Sequence, residues 1–146
     1  MLDNKRNAFT MIELVFVIVV LGILAAVAIP RFAATRTDAE ISKGRADIAS
    51  IRSAIVSDRQ TRLVRGITTF IPAGNAAGQL DDGGLFGGAL MYPINGGGWS
   101  LIAYDDVNTT TYNYNASSIN TTFTYTSGDG LFDCVRNTGR CNDLVD

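Results

Sequence analysis

The fold of this chain is decided by its segment Phe9–Ile29, which reads FTMIELVFVIVVLGILAAVAI. Thr10 and Glu13 carry the only polar side chains in it. As an α-helix these residues extend about 30 Å, which matches the hydrocarbon core of a bilayer. A soluble helix of this length normally keeps one polar edge, so the composition favours a retained transmembrane helix.

Two other interpretations of this segment are a secretory signal that is removed and a buried core helix. Lys5 and Arg6 supply the positive n-region of a signal peptide, and Ala26-Val27-Ala28 is a small-x-small cleavage pattern. However, the apolar run is longer than the roughly 7–15 residues of a typical h-region. Pro30 would also lie two residues beyond the cut, and both features favour retention.

Outside this segment the chain is polar, and its charge is unevenly distributed. Residues 1–66 contain ten Lys/Arg and six Asp/Glu, whereas residues 67–146 contain two and eight. The sequence has no histidine and two cysteines, so it lacks the commonest general base and cannot form a four-thiolate zinc site. No nucleophile–base motif is visible, and we therefore expect a protein that is not an enzyme.

Glu13 is the most informative residue of the apolar segment. A carboxylate within a membrane span costs about 2.5–3.5 kcal/mol, and such residues usually have a partner. One interpretation places Glu13 at the headgroup interface, where the start of a helix favours an acid. The other gives it a positively charged partner on a neighbouring chain, because a buried charge is tolerable only when it is paired.

The residues around Glu13 resemble the processing site of type IV pilins and type II secretion pseudopilins. The stretch that carries the resemblance is KRNA followed by FTMIEL, residues 5–14. The resemblance implies that a prepilin peptidase cuts between Ala8 and Phe9 and that the new amine of Phe9 is methylated. It also implies that Glu13 pairs with the N-terminal amine of an adjacent subunit during assembly.

Three further positions bear on this resemblance. Gly22 and Pro30 match places where the helix of the family loosens in assembled filaments, and both residue types weaken a helix. Ala8 is a departure, because the family strongly prefers Gly before the cut. A small residue should still fit the protease subsite.

The helix is predicted to continue over residues 31–66 as an amphipathic helix that ends near Arg65-Gly66. An apolar stripe repeats every seven residues, at Ile41, Ile48 and Ile55. Because this half is apolar on one side only, we expect the stripe to lie against a sheet from the C-terminal region.

A second repeat of seven residues carries arginine, at Arg45, Arg52 and Arg59. Three interpretations compete for this row: a basic strip for DNA or an acidic neighbour, a solvated face, and a contact with the acidic C-terminal domain of the next subunit. Charge runs on amphipathic helices are commonly solvated, which favours the second interpretation.

The C-terminal half is predicted to begin with a Gly-rich loop and to end in an antiparallel sheet. The glycines of residues 67–98 do not follow a strand and open a helix as phosphate-binding loops do. Three strands are predicted from aromatic and β-branched alternation, at 99–104, 109–114 and 121–126, with Leu131-Phe132 as an edge.

Cys134 and Cys141 are the two cysteines, and their C-x₆-C spacing is not that of a redox C-x-x-C site. An even pair in a chain outside the cytoplasm favours a disulfide. The pair also resembles the C-terminal disulfide loop of many type IV pilins. Asp129 and Asp133 are the best calcium candidates, as some major pseudopilins bind calcium near the C-terminus. No complete D-x-D-x-D-G loop is present, so we expect no cofactor.

Together, the residues and the resemblance predict an α+β, pilin-like fold in which a long N-terminal helix packs on a small antiparallel sheet. The predicted segments are a leader (1–8), a transmembrane or filament-core helix (9–30), an amphipathic continuation (31–66), a Gly-rich loop region (67–98), and the sheet with its disulfide loop (99–146).

The predicted function is that of a structural subunit of a pilus or pseudopilus fibre, in type II protein secretion. The alternatives are a type IV pilus subunit for adhesion, motility or DNA uptake, and a membrane-anchored binding module outside the cytoplasm. The expected partners are copies of itself or other pilins, prepilin peptidase, the inner-membrane assembly platform and the membrane, with nucleic acid less favoured.

The predicted location is the bacterial inner membrane, with a single span and the C-terminal domain in the periplasm, before assembly into a periplasmic or surface fibre. The positive-inside rule alone would orient the span the other way, because more Lys/Arg follow it than precede it. The cysteine pair and the resemblance both place the C-terminal domain outside the cytoplasm, and we prefer this orientation.

Overall fold

The computed structural model describes residues 9–105, 108–116 and 119–146, and only the backbone of residues 32–34. The chain divides into two compact units, Met1–Arg36 and Thr37–Asp146. An α+β fold with a long N-terminal helix and a small antiparallel sheet is confirmed. The elements are helix α1 (Met11–Val64), strands β1 (Trp99–Tyr104), β2 (Thr109–Ala116), β3 (Ile119–Thr126) and β4 (Leu131–Cys134), and the short helix α2 (Cys141–Val145).

Helix α1 begins with a side-chain cap. The Oγ1 of Thr10 accepts a hydrogen bond from the backbone N–H of Glu13 at 3.3 Å. A threonine followed by a glutamate three residues later is the capping-box spacing, and an acid in the first turn interacts favourably with the helix dipole. Glu13 therefore stands where the start of the helix favours a negative charge.

In the first unit the apolar segment is helical, and the helix runs through Gly22 and Pro30. One helix among the described residues is long and apolar enough to cross a membrane, by length and composition. Its most apolar stretch is not buried within the protein, and side chains such as Phe16 and Leu24 are more than half exposed. This exposure disagrees with the interpretation of a buried core helix.

Helix α1 ends where the sequence predicts, at a glycine that closes the last turn. Gly66 adopts a positive φ of 79°, and its N–H donates to the carbonyl of Leu63. The N–H of Ile67 donates to the carbonyl of Arg62 at 2.9 Å. These two bonds form a Schellman motif, which satisfies carbonyls that the end of the helix would otherwise leave without donors.

The four strands form an antiparallel sheet in the order β1-β2-β3-β4. Strands β2 and β3 are longer than the sequence predicts, because Ala116 still pairs with Ile119 across them. The predicted edge at Leu131-Phe132 is strand β4, which pairs with β3. Every second residue of β2 and β3 is buried, as the alternation of aromatic and polar residues indicates.

The core of the second unit lies between the isoleucine stripe of α1 and the aromatic face of the sheet. Ile48, Ile51 and Ile55 are buried, and Ile41 is partly buried against the same cluster. Their sheet neighbours in this core are mostly aromatic: Trp99, Tyr112, Tyr114, Phe123, Tyr125 and Phe132. Because burying a side chain of this size contributes about 1.5–3 kcal/mol, the stripe holds helix and sheet together.

Gly44 is the point of closest approach between α1 and the C-terminal region. A Cβ at this position would lie 2.7 Å from a methyl carbon of Leu144 and 2.9 Å from the ring of Tyr114. The Tyr114 hydroxyl donates to the carbonyl of Glu40 at 2.8 Å, one turn away. Glycine therefore allows a contact here that any larger side chain would obstruct.

We expect the substitution Gly44→Val to lower the free energy of unfolding of the second unit by about 1–3 kcal/mol, because it overpacks this contact. Denaturant unfolding of the purified chain in detergent, followed by the fluorescence of the buried Trp99, measures the change. Gly22→Val is the control, because an added Cβ at Gly22 meets nothing within 4 Å. Equal unfolding midpoints for the two variants would contradict the close contact.

Candidate functional site

The segment around Phe9 and Glu13 combines an exposed apolar surface with a single acid. Phe9 is 80% exposed and immediately precedes the cap of α1. Within residues 9–105, 108–116 and 119–146 the Glu13 carboxylate has no ion-pair partner. It is therefore available to a cation from another molecule. The other residue of the predicted cleavage site, Ala8, lies outside the described residues.

The arginine row of α1 contacts the protein's own C-terminal region. The Nε of Arg45 donates to the carbonyl of Asp143 at 2.6 Å. Arg52 donates from Nε to the carbonyl of Phe132 at 3.0 Å, and its Nη2 forms an ion pair of 3.0 Å with Asp133. These arginines therefore attach helix α1 to strand β4 and to helix α2.

The row continues with contacts to the loop that follows α1. The guanidinium of Arg59 lies 4.7 Å from the centre of the Phe70 ring, within the range of a cation–π interaction. Arg62 pairs with Asp58 at 2.5 Å and donates to the carbonyl of Gly78 at 3.1 Å. The solvated-face interpretation is therefore wrong for the row, because the basic helix meets the acidic region of its own chain.

A disulfide joins Cys134 at the end of β4 to Cys141 at the start of α2, as the sequence predicts. Both cysteines are buried, and Leu144 of α2 is buried in the core. The bond removes conformational freedom from the unfolded chain and so favours the folded state. It therefore keeps α2 beside the glycine contact of α1.

The two calcium candidates have structural partners. Asp133 pairs with Arg52 and accepts the N–H of Cys134, while Asp129 accepts the N–H of Leu131 at 3.0 Å. In the described part of the chain, one group of three potential metal ligands occurs, formed by Asp133 and the two cysteines. Sulfurs in a disulfide offer no thiolate to a metal. Calcium binding at Asp129 and Asp133 stays a prediction.

Asp81 organises the Gly-rich loop, and sequence reasoning missed it. Its buried carboxylate accepts the N–H of Phe86 and the hydroxyl of Tyr112, each at 2.7 Å. Burial raises the pKa of the Asp81 carboxyl, although these hydrogen bonds oppose the shift. Burial and the nearby Asp81 likewise raise the pKa of Tyr112 well above its ordinary value.

Phe86 shows what this carboxylate achieves. The residue has a φ of 59°, a left-handed conformation that is uncommon for an aromatic residue. Its ring is buried in the sheet core, with ring centres 4.5 Å from Tyr112, 5.4 Å from Phe132 and 5.9 Å from Trp99. The loop is thus fixed on the sheet at Phe86. The only signal in the sequence was an apolar Leu85-Phe86 pair among glycines.

We expect Asp81→Asn to change how stability depends on pH. Because the pKa of Asp81 is higher in the folded than in the unfolded protein, its contribution is full below the ordinary value of 3.8 and is lost as pH rises through the raised value. The asparagine variant lacks this loss. Its free energy of unfolding relative to the unsubstituted protein should therefore rise with pH, as measured by denaturant unfolding at several pH values.

Asp81→Ala is the comparison variant for this experiment. It leaves the Phe86 N–H and the Tyr112 hydroxyl without an acceptor, which costs about 1–3 kcal/mol for each group at every pH. A pH-independent difference between the asparagine variant and the unsubstituted protein would contradict the raised pKa.

Comparison with known proteins adds one match to this geometry. Residues 3–29 match the family described as the prokaryotic N-terminal methylation motif. The match includes Phe9, Glu13 and Gly22, and ends one residue before Pro30. No solved structure matches the chain.

Proposed function

We propose that this chain, which carries the N-terminal signature of type IV pilins and pseudopilins, is a fibre subunit that serves type II protein secretion. The signature indicates a structural subunit of the pilin type and not an enzyme. The observation that carries the proposal is the methylation motif on an apolar helix whose side chains the protein does not cover. Such a surface requires either lipid or other helices around it.

Processing is the first proposed step. A prepilin peptidase hydrolyses the peptide bond between Ala8 and Phe9, and the new amine of Phe9 is methylated. The residues that follow support this site, because the helix is capped at Thr10 and the exposed Phe9 precedes the cap. Ala8 has a small side chain that a subsite for glycine should accept.

Assembly is the second proposed step, and Glu13 sets its register. In the membrane an unpaired carboxylate costs about 2.5–3.5 kcal/mol. The methylated amine of a neighbouring subunit is a cation, and pairing with Glu13 would remove most of this cost. Because the rest of the helix surface is apolar and packs without strong directionality, the charge pair favours one register of neighbouring helices.

The role in type II secretion is the finer part of the proposal. A soluble body limited to Thr37–Asp146 is small, which favours a pseudopilin over the larger subunits of adhesive pili. The DNA-uptake alternative relied on a free arginine strip, and Arg45, Arg52, Arg59 and Arg62 contact the chain itself. The remaining alternative is a binding module that uses α1 only as an anchor.

The proposed location is the bacterial inner membrane, with the C-terminal body in the periplasm until the fibre assembles. The motif and the apolar helix fit an inner-membrane anchor with the rest of the chain outside the cytoplasm. The disulfide between Cys134 and Cys141 supports an oxidising compartment for the body.

We expect the mature protein to begin at Phe9 with a methylated amine. Mass spectrometry of the N-terminal peptide from membranes and from sheared fibres measures both features. Ala8→Gly is the matched variant, and its cleaved fraction should equal or exceed that of the unsubstituted chain. A mature N-terminus at Ile29, or an intact Met1 in assembled material, would contradict the proposed processing.

We expect Glu13→Ala to abolish fibres without preventing membrane insertion. Loss of one partner of a buried ion pair costs about 3–5 kcal/mol, so the amount of fibre should fall at least tenfold. Immunoblots of sheared fibres and of membrane fractions measure the two effects separately. Asp38→Ala is the control, because it removes an exposed acid from the same helix. Unchanged fibres in the Glu13 variant would favour the plain anchor.

A further inference from the structure

Two apolar clusters are exposed on the second unit. The first, the helix-end patch, consists of Leu63, Val64 and Ile67. Val64 is 89% exposed, and the Schellman motif holds Ile67 against the end of α1. The second, the loop patch, consists of Met91 and Tyr92, which are 87% and 76% exposed. Contiguous exposed apolar side chains on a soluble body commonly mark an interaction surface.

The loop patch stands on a rigid base. The N–H of Leu90 donates to the carbonyl of Phe86 at 2.8 Å, and the N–H of Ile94 donates to the carbonyl of Leu85 at 2.9 Å. Phe86 is itself fixed in the core. Met91 and Tyr92 are therefore presented in a defined place, which lowers the entropy cost of binding. Tyrosine and methionine are also enriched in protein interfaces.

The Gly-rich loop travels along α1 from one end of the second unit to the other. Near its start, Gly78 accepts a hydrogen bond from Arg62 at 3.1 Å. Near its end, Gly97 lies so close to Lys43 that an added Cβ would be 2.6 Å from the lysine Nζ. Lys43 and Arg62 are about 28 Å apart along the helix axis. The loop patch belongs to the part that approaches Lys43, whereas the helix-end patch follows Arg62.

The two patches also differ in the charge around them. The Gly-rich loop, residues 67–98, contains Asp81 and Asp82 but no Lys or Arg. The helix-end patch is flanked by Arg62 and Arg65, and Arg65 forms no ion pair within the part of the chain that the structure describes. An acidic segment with an apolar tip and a basic helix end with an apolar surface are complementary to each other, and neither is complementary to itself.

From these observations we infer that the loop patch of one subunit packs on the helix-end patch of the next copy of this chain. The contact is heterologous, because it joins two different surfaces. A heterologous contact that does not close into a ring repeats into an open helical fibre. This inference rests on the proposed fibre function and names a second interface for it, separate from the packing of the N-terminal helices.

Cysteine cross-linking in assembled fibres tests the interface. The native cysteines are joined in a disulfide, so new cysteines at Val64 and Met91 can report on each other. Cells that express the double variant Val64→Cys/Met91→Cys should give a ladder of multimers after mild oxidation and non-reducing electrophoresis. Mixed expression of the two single variants should give dimers only, because each chain then has one of the two surfaces.

The controls separate this interface from the fibre itself. Val56→Cys/Met91→Cys places the first cysteine at another exposed valine of α1, and its cross-linked fraction should be at least tenfold lower. Fibres of the Val64/Met91 variant without a ladder would overturn the inference while the proposed fibre function stands. Dimers from either single variant alone would also overturn it, because the patch would then meet itself. Absence of fibres from the unsubstituted chain would instead contradict the proposed function.

Discussion

The constraint on which this structure depends is an apolar helix surface that the protein does not cover. From the cap at Thr10 to Pro30 the helix exposes its side chains on all sides. Such a surface is stable only in lipid or against other helices, so the segment must have partners outside its own chain. The single acid, Glu13, adds direction to this requirement, because a carboxylate in such surroundings favours a position beside a cation.

The second unit solves the opposite problem, because it must be stable while exposed to water. Its half of α1 buries one isoleucine stripe against an aromatic sheet. The arginines beside that stripe then extend over the edge of the core to bind carbonyls and a carboxylate of β4 and α2. A single helix thus serves two environments, and its change in polarity after Pro30 follows from the change of surroundings. The charge difference between the two halves of the chain is largely used within the chain.

The elements of this fold could be predicted from periodicity, and their contacts could not. The apolar run, the isoleucine repeat and Gly66 predict the helix and its end, because each is a local property of the chain. Alternation of aromatic and polar residues likewise predicts the strands of the sheet. The role of the arginine row depends on strand β4, about 80 residues later in the chain, so its spacing suggested a solvated face. Asp81 gave no local signal, because its partners Phe86 and Tyr112 come together only in the folded protein.

The linear sequence was sufficient for the membrane-length helix, the processing motif, the position of Glu13 and the α+β class. These features are set by composition and by spacing over short distances, where the intrinsic geometry of helices and strands decides the outcome. Only the tertiary structure decided that the arginines attach the sheet to α1, that Gly44 admits Leu144 and Tyr114, and that a buried carboxylate holds the Gly-rich loop. Each of these depends on groups far apart in the chain, whose burial and hydrogen bonding are defined only when the core has formed.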